Sequence, residues 1–374
     1  MKRGDAMQDI QARWMERAMH LAKKGWGTTN PNPLVGAVII KAGRKIGEGF
    51  HEKPGEPHAE VMALNDAGDE SKGADMYVTL EPCSHYGRTP PCVESINRAG
   101  IARVIVSMTD PNPQVAGSGI RRLKEAGIEV VLGVLEDDAK ELNEIFIHFI
   151  TQKTPYLIYK AAMSLDGKTA SNSGHSRWIT GEKARQHVHW TRQRVSGIMI
   201  GIGTLIQDNP QLTVRDLPVP PVHPQRIVVD SRGKIPLTSH LLEDVTVAKT
   251  LVATTEAMKL ETEMKLVERG VEVIRVVSNN GRVDLSALFK KLGERDIDSI
   301  LLEGGGTLAE SALKSGLINR IMIYVAPKLI GGKNAPGVLS GNGIEHMDEC
   351  IRVDNFKTVS LGDDLLMTGT LQRR

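Results

Sequence analysis

Two successive runs of short apolar segments alternating with amphipathic stretches are the feature that most narrows what this chain can fold into. Residues 34–40, 76–80, 104–107 and 130–132 are apolar runs rich in β-branched residues. They are too short for buried helices and read as strands. Trp14, Ala18, Leu21 and Ala22, with Met15 and Met19 beside them, follow helical spacing and stop at Gly25. Lys41-Ala42-Gly43-Arg44 reads as a hairpin turn into a second strand that ends near Gly49-Phe50-His51. Pro57 is placed to open a helix through Ala59, Val61, Met62, Ala63 and Leu64. Further helices are expected from about Pro90-Pro91, around residues 120–126, and over residues 139–150. Strands that alternate with helices predict a largely parallel sheet covered on both faces.

The alternation begins again at Pro155. Strands are expected at residues 156–163, 197–201, 226–230, 250–253, 271–276, 300–303, 320–325 and 365–371, with helices at 182–195 and 307–314. Residues 218–224 are proline-rich and read as a surface loop. No internal repeat relates the halves, so two different α/β domains are expected, 1–150 and 151–374. That division suits 374 residues at roughly 150 per domain.

Charge excludes several function classes. Lys and Arg number 47 against 45 Asp and Glu, so neither a basic nucleic-acid coat nor an acidic disordered tail is expected. Residues beyond 150 are mildly basic, which suits phosphate binding. Cys83, Cys92 and Cys350 are too few for a disulfide framework. Residues 1–24 hold scattered charges and no apolar core of a signal peptide. No segment approaches the roughly 20 apolar residues of a membrane helix. A cytoplasmic protein with neither membrane nor nucleic-acid partner is therefore expected.

His58-Ala59-Glu60, Pro82-Cys83 and Cys92 supply one imidazole and two thiols. Three protein ligands leave a tetrahedral zinc site with one open position, the catalytic arrangement. Zinc lowers the pKa of its water from ~15.7 toward ~7. A carboxylate must then carry the proton to a ring nitrogen and to the departing amine, and Glu60 stands two residues from a ligand. A histidine, two cysteines and a non-ligating glutamate form the pattern of zinc nucleobase deaminases. There the cysteines are usually two residues apart, whereas eight separate them here.

Thr79-Leu80-Glu81-Pro82-Cys83-Ser84-His85-Tyr86-Gly87-Arg88-Thr89-Pro90-Pro91-Cys92 resembles the signature of bifunctional riboflavin-biosynthesis deaminase/reductases, which carry that insert. Asn30-Pro31-Asn32-Pro33-Leu34-Val35-Gly36 and Asp110-Pro111-Asn112-Pro113-Gln114-Val115-Ala116-Gly117 match as well, and the likeness runs through nearly the whole chain. The resemblance implies zinc on His58, Cys83 and Cys92, one ion per chain, with Glu60 as proton shuttle. His85 and Arg88 stand as candidates for the substrate phosphate, and Asn32 for the pyrimidine edge. A loop-shaping role is the competing reading for all three, and His51 reads as structural.

In the second half, Ile300-Leu301-Leu302-Glu303-Gly304-Gly305-Gly306-Thr307 runs from strand through glycines to helix. Such a turn lets backbone N–H groups and a helix N-terminus meet a diphosphate, although it lacks the Rossmann spacing. Lys160-Ala161-Ala162-Met163-Ser164-Leu165-Asp166-Gly167-Lys168-Thr169-Ala170 and residues 201–215 resemble reductases of dihydrofolate-reductase-like fold. The two resemblances together imply an N-terminal cytidine-deaminase-like three-layer α/β/α domain and a C-terminal dihydrofolate-reductase-like α/β domain. They imply NADPH contacts from Ala162, Thr169, Trp178, Thr204, Asp208 and Ser231. The segment Gly305, Gly306, Thr307, Leu308, Ala309, Glu310 and Ser311 would complete the cofactor site. Implied substrate contacts are Ser176, Arg192, Leu212, Arg215 and Glu303, with the two arginines as a clamp on a ribose 5-phosphate. Arg232 is a candidate for the cofactor's 2′-phosphate. Lys160, Asp208 and Glu303 all remain open as proton donor.

The activity so implied is zinc-dependent hydrolytic deamination of 2,5-diamino-6-ribosylamino-4(3H)-pyrimidinone 5′-phosphate. NADPH-dependent reduction of the ribosyl group to a ribityl chain follows, and a homo-oligomer is expected. The competing readings are a nucleic-acid adenosine or cytidine deaminase with an accessory domain, and a non-catalytic zinc-stabilised nucleotide sensor. Near-neutral charge argues against the first. An open zinc position beside Glu60 argues against the second.

Overall fold

The computed structural model describes residues 3–86, 90–113 and 115–371. The chain forms two compact units, Met1–Lys153 and Thr154–Arg374.

In the first unit, α1 (Arg3–Ala22) leads into β1 (Gly36–Lys41), β2 (Arg44–Phe50), α2 (Ala59–Ala67) and β3 (Asp75–Leu80). Then come α3 (Cys92–Arg98), β4 (Arg103–Met108), α4 (Ser118–Glu125) and β5 (Glu129–Leu132), with α5 (Glu136–Leu142) and α6 (Glu144–Gln152) closing the unit. The sheet order is β2-β1-β3-β4-β5. It is mixed rather than largely parallel. β1 runs antiparallel to both β2 and β3, while β3, β4 and β5 are parallel. The hairpin is the cause: α2 carries the chain from β2 over β1 to β3, so β3 parallels β2 and opposes the strand between them.

Glycines set the layers. Gly36 and Ala37 are neighbours on β1 and face opposite sides of the sheet. A Cβ on Gly36 would lie 1.9 Å from the Ala18 carbonyl oxygen, so α1 rests directly on that face. Gly49, cross-strand partner of Ala37, faces the other side, where a Cβ would meet Met62 at 2.5 Å and the Ala63 nitrogen at 2.6 Å. α2 is thereby pressed onto the sheet opposite α1, and the core of Ile39, Met76, Val78, Ile105 and Val106 lies between the layers.

The second unit opens with β6 (Tyr156–Ser164), α7 (Glu182–Arg194), β7 (Gly197–Gly201), α8 (Ile202–Asp208) and β8 (Gln225–Val229). It continues through α9 (His240–Glu243), β9 (Thr250–Thr254), α10 (Leu260–Glu268) and β10 (Glu272–Arg275). A small hairpin, β11 (Ser278–Asn279) and β12 (Arg282–Val283), precedes α11 (Leu285–Gly293), β13 (Ser299–Leu302) and α12 (Gly306–Lys314). The unit ends with β14 (Ile318–Ala326), β15 (Val353–Leu361) and β16 (Asp364–Leu371). Its nine-stranded sheet has the order β10-β9-β8-β7-β13-β6-β14-β16-β15. Strands from β10 to β14 are parallel, and β16 and β15 add antiparallel at one edge. Successive residues feed two cores. Met199, Ile227 and Leu251 pack on one face, whereas Ile198, Val228 and Val252 pack on the other. That is why these strands read as unbroken apolar runs.

Candidate active sites

In the first unit the metal-ligating candidates converge from two strand-to-helix turns. α2 begins at Ala59, two residues beyond Pro57, with His58 just outside its first turn. Cys83 follows β3, and Cys92 is the first residue of α3. The His58 Nδ1, Cys83 Sγ and Cys92 Sγ all lie within 4.8 Å of one another. The imidazole stands 3.2 Å from Cys92 Sγ and 3.5 Å from Cys83 Sγ. The backbone N–H of Cys92, at a helix start, donates to Cys83 Sγ at 3.2 Å. Hydrogen bonds from Cys92 and His58 bring the Cys83 thiol down to about 4 despite its burial. Facing that thiolate, Cys92 is pushed strongly up and holds its proton. A preformed thiolate, a second thiol and an imidazole at this separation suit a tetrahedral zinc ion. Metal binding would release the remaining proton.

Glu60 stands in the first turn of α2 and is 3 % exposed. Burial, with the Cys83 thiolate nearby, pushes its carboxyl up to about 7. The side chain is thus a protonatable group packed against the ligands. His51, also buried, fixes Asn32. Its Nδ1 faces the Pro57 carbonyl at 3.3 Å, so Nε2 accepts from the Asn32 amide at 3.1 Å. Desolvation lowers the His51 pKa, which keeps the ring neutral in that role. His85 is exposed on the loop after Cys83, while Arg88 lies outside the described residues.

In the second unit the candidates cluster at the carboxyl ends of the parallel strands, where such sheets open a crevice. Glu303 directly follows β13. Its carboxylate receives Arg192 Nε at 2.6 Å and Nη2 at 2.9 Å, with Lys160 Nζ at 3.5 Å. Burial opposes its charge, but Arg192 and Lys160 prevail and hold the carboxyl down at about 2. Glu303 is therefore held charged near neutral pH. Asp208, at the end of α8, has its carboxyl raised by burial.

Arg192 is largely committed, because its Nη1 also donates to the Thr213 carbonyl at 2.9 Å. Arg215 is the freer arginine, its Nη1 resting on Gln211 Oε1 and Thr213 Oγ1, each at 2.8 Å. Its backbone N–H donates to His189 Nδ1 at 3.2 Å. Burial, then Arg192 and Arg215, depress His189 to about 4, so a neutral imidazole lies among these charges. His189 escaped sequence reasoning because its place depends on a helix meeting a distant loop. Leu212 is packed into a hydrophobic core at φ 52°, which leaves its backbone rather than its side chain for any ligand.

The glycine turn is equally shaped by contacts. Gly305 N–H donates to Thr204 Oγ1 at 2.9 Å, and a Cβ on Gly306 would sit 2.4 Å from Ser340 Oγ. α12 starts there, while Ala309 points into the core and Ser311 Oγ bonds the Thr307 carbonyl at 2.9 Å. Ala162 lies on β6, Thr169 donates its N–H to the Pro336 carbonyl, and Ser176 is half-buried. Trp178 is exposed beneath the Arg185 guanidinium, 4.7 Å from the ring centre. Ser231 Oγ accepts the Val283 N–H, and Arg232 is exposed next to it. Glu310 Oε1 pairs with Lys314 at 2.8 Å. Cys350 is exposed and far from the metal candidates in sequence.

The two units correspond to two families. Residues 8–108 match the cytidine and deoxycytidylate deaminase zinc-binding region, and residues 155–367 match the RibD C-terminal domain. Fold and site thus define a zinc-binding deaminase and a reductase in one chain. The riboflavin biosynthesis protein RibD of Actinobacillus pleuropneumoniae is 47% identical over 357 residues, covering 95% of this chain and 93% of that protein. The Escherichia coli K12 protein of the same description is 42% identical, covering 95% and 97%. The structure of Acinetobacter baumannii RibD superposes with a TM-score of 0.87 at 40% identity, covering 98% and 99%. A Thermotoga maritima deaminase/reductase gives 0.83 at 36%, covering 98% and 100%. The chain belongs to the RibD family of bifunctional riboflavin-biosynthesis enzymes. It is a zinc-dependent deaminase and a reductase, and a nucleic-acid deaminase with an accessory domain is not favoured.

Proposed function

We propose that the two units act in sequence on one phosphorylated pyrimidine. The first would hydrolyse the 2-amino group of 2,5-diamino-6-ribosylamino-4(3H)-pyrimidinone 5′-phosphate and release ammonia. The second would reduce the ribosyl group of the product to a ribityl chain with NADPH. The Thermotoga relative carries the corresponding description, a diaminohydroxyphosphoribosylaminopyrimidine deaminase and 5-amino-6-(5-phosphoribosylamino)uracil reductase. The observation that carries the deaminase assignment is the buried Glu60 carboxyl packed against His58, Cys83 and Cys92.

His58, Cys83 and Cys92 would hold one zinc ion. When bound, zinc acidifies water near neutral pH. Glu60 would take one proton from the attacking water and pass it to the pyrimidine ring nitrogen, then take that oxygen's second proton and pass it to the amine, so that the C–N bond breaks and ammonia leaves. Asn32, held by His51, presents an amide edge that can both donate to and accept from the ring.

In the second unit, NADPH supplies the hydride. The N–H groups of Gly305, Gly306 and Thr307 at the start of α12 suit its diphosphate. Ala162, Thr169, Trp178, Thr204, Asp208 and Ser231 would line the rest, with Arg232 toward the 2′-phosphate. Arg215 would take the substrate phosphate beside Ser176 and the Leu212 backbone. Arg192 would chiefly hold Glu303 as a charged hydrogen-bond acceptor for the sugar. With Glu303 held charged, Lys160 and Asp208 are the candidate proton donors.

Edge strand β15, with Phe356 and Val359 exposed, supports a homo-oligomer. Free thiols required as ligands support a reducing, cytoplasmic setting. Among the described residues, no helix is long and apolar enough to cross a membrane. A paired assay tests the whole reading. The chain with zinc, NADPH and the diaminopyrimidine should release ammonia and lose reduced-nicotinamide absorbance. Ammonia without NADPH oxidation would reject the second half.

A further inference from the structure

The deaminase chemistry uses Glu60, yet a second buried carboxylate stands just before the Cys83 ligand turn. Glu81 follows β3, two residues before Cys83, and is 5 % exposed. Its Oε2 accepts the backbone N–H groups of Asp110 at 3.1 Å and Gly117 at 3.0 Å. Its Oε1 accepts those of Gly119 at 2.8 Å and Ile120 at 3.3 Å. All four donors belong to the loop between β4 and α4 or to the first turn of α4. One carboxylate thus gathers both ends of that loop.

Independent contacts clamp the same two segments together. Ser84 Oγ and Ser118 Oγ are 2.6 Å apart, and Arg122 donates to the Ser84 carbonyl at 2.6 Å. A Cβ on Gly119 would lie 2.0 Å from the Pro82 carbonyl oxygen, so only glycine allows this approach. The clamped loop bears on the ligand turn: the Asp110 carboxyl interacts electrostatically with His85 and Cys83. The described ends of that loop therefore sit against the turn that carries one metal ligand.

We propose that Glu81 is a positioning residue of the deaminase, docking the β4–α4 loop over the Cys83 turn to form a wall of the substrate site. The proposal rests on reading His58, Cys83 and Cys92 as the zinc ligands. Its physical basis is acceptor geometry. A carboxylate offers about four lone-pair sites and no donor, matching four converging N–H groups. Glutamine has the same size but would turn an NH₂ toward two of them, so the loop must shift.

Glu81→Gln and Gly119→Ala in the full-length chain test this, the second moving the loop with Glu81 intact. Both should keep one zinc per chain and wild-type NADPH oxidation on supplied deaminated intermediate. Both should raise the KM for deamination, lowering kcat/KM by roughly 10²-fold, the scale of a misplacement near 1 Å. Unchanged KM in both variants overturns the proposal. So does loss of zinc in parallel with activity, which would make Glu81 a support of the ligand turn only. A wild-type chain that binds no zinc would fail the ligand reading itself, before any variant is compared.

Discussion

Glu60 and Glu303 are both buried carboxylates, and their surroundings drive them in opposite directions. Among the described residues no cationic side chain is hydrogen-bonded to Glu60; burial and the nearby Cys83 raise its carboxyl to about 7. Glu303 is largely enclosed, yet Arg192 and Lys160 hold it charged to about 2. Glu60→Gln should keep zinc and NADPH oxidation while ammonia release falls by roughly 10²–10⁴-fold, the usual worth of a general acid/base; a single preparation assayed for metal and both products checks this. For Glu303 the folded pKa is depressed. Its stabilisation is therefore present above the unfolded carboxyl value, about 4.3, and is lost as pH falls toward about 2. Glu303→Gln should abolish that acid-range slope in the second unit. It should also cost about 3 kcal/mol at neutral pH by leaving Arg192 and Lys160 without their anion, read from denaturant midpoints at several pH values.

The site in the first unit depends on how closely α2 lies on β2. Gly47 and Gly49 leave no room for a side chain beneath Ala63 and Met62. Gly49→Ala should lift α2, with His58 at its entrance, and destabilise the unit by about 1–3 kcal/mol, as overpacking does. Zinc affinity should drop with it, measured by competition with a chelator alongside the thermal midpoint. Elements with two buried faces or a clear apolar stripe were legible in the sequence, including β1, β3, β4 and the parallel strands of the second unit. β15 was not. Its Asp354, Asn355 and Lys357 carry no apolar period because the strand is an exposed edge held by backbone pairing to β16. The antiparallel placing of β1 against β3 was equally hidden, since hydrophobic patterning encodes burial but not strand direction.

Across the whole molecule, each unit has its own sheet, core and chemistry. Removing zinc with a chelator should abolish ammonia release while NADPH oxidation on supplied deaminated intermediate continues. Parallel loss of both activities would show that the reductase depends on the metal. Much of this organisation could be read locally. His58, Glu60, Cys83 and Cys92 supplied the donor types of a zinc site with an acid/base, while the resemblance of residues 79–92 pointed to a deaminase and that of the segments around Lys160 and Thr204 to a reductase. Those motifs are contiguous, and their chemistry follows from residue type.

Tertiary structure alone decided which charges meet. The sequence placed Arg192 and Arg215 together as a phosphate clamp, but 111 residues of chain separate Arg192 from the Glu303 that engages it. Only the adjacency of β13, β6 and β7 brings that pair and Lys160 into one cluster. Likewise, nothing local says that the Glu81 carboxylate will collect four N–H groups from a loop some thirty residues on. Motif chemistry is written in neighbouring residues. The protonation state and commitment of each group depend on burial and long-range partners, and those exist only once the sheets have formed.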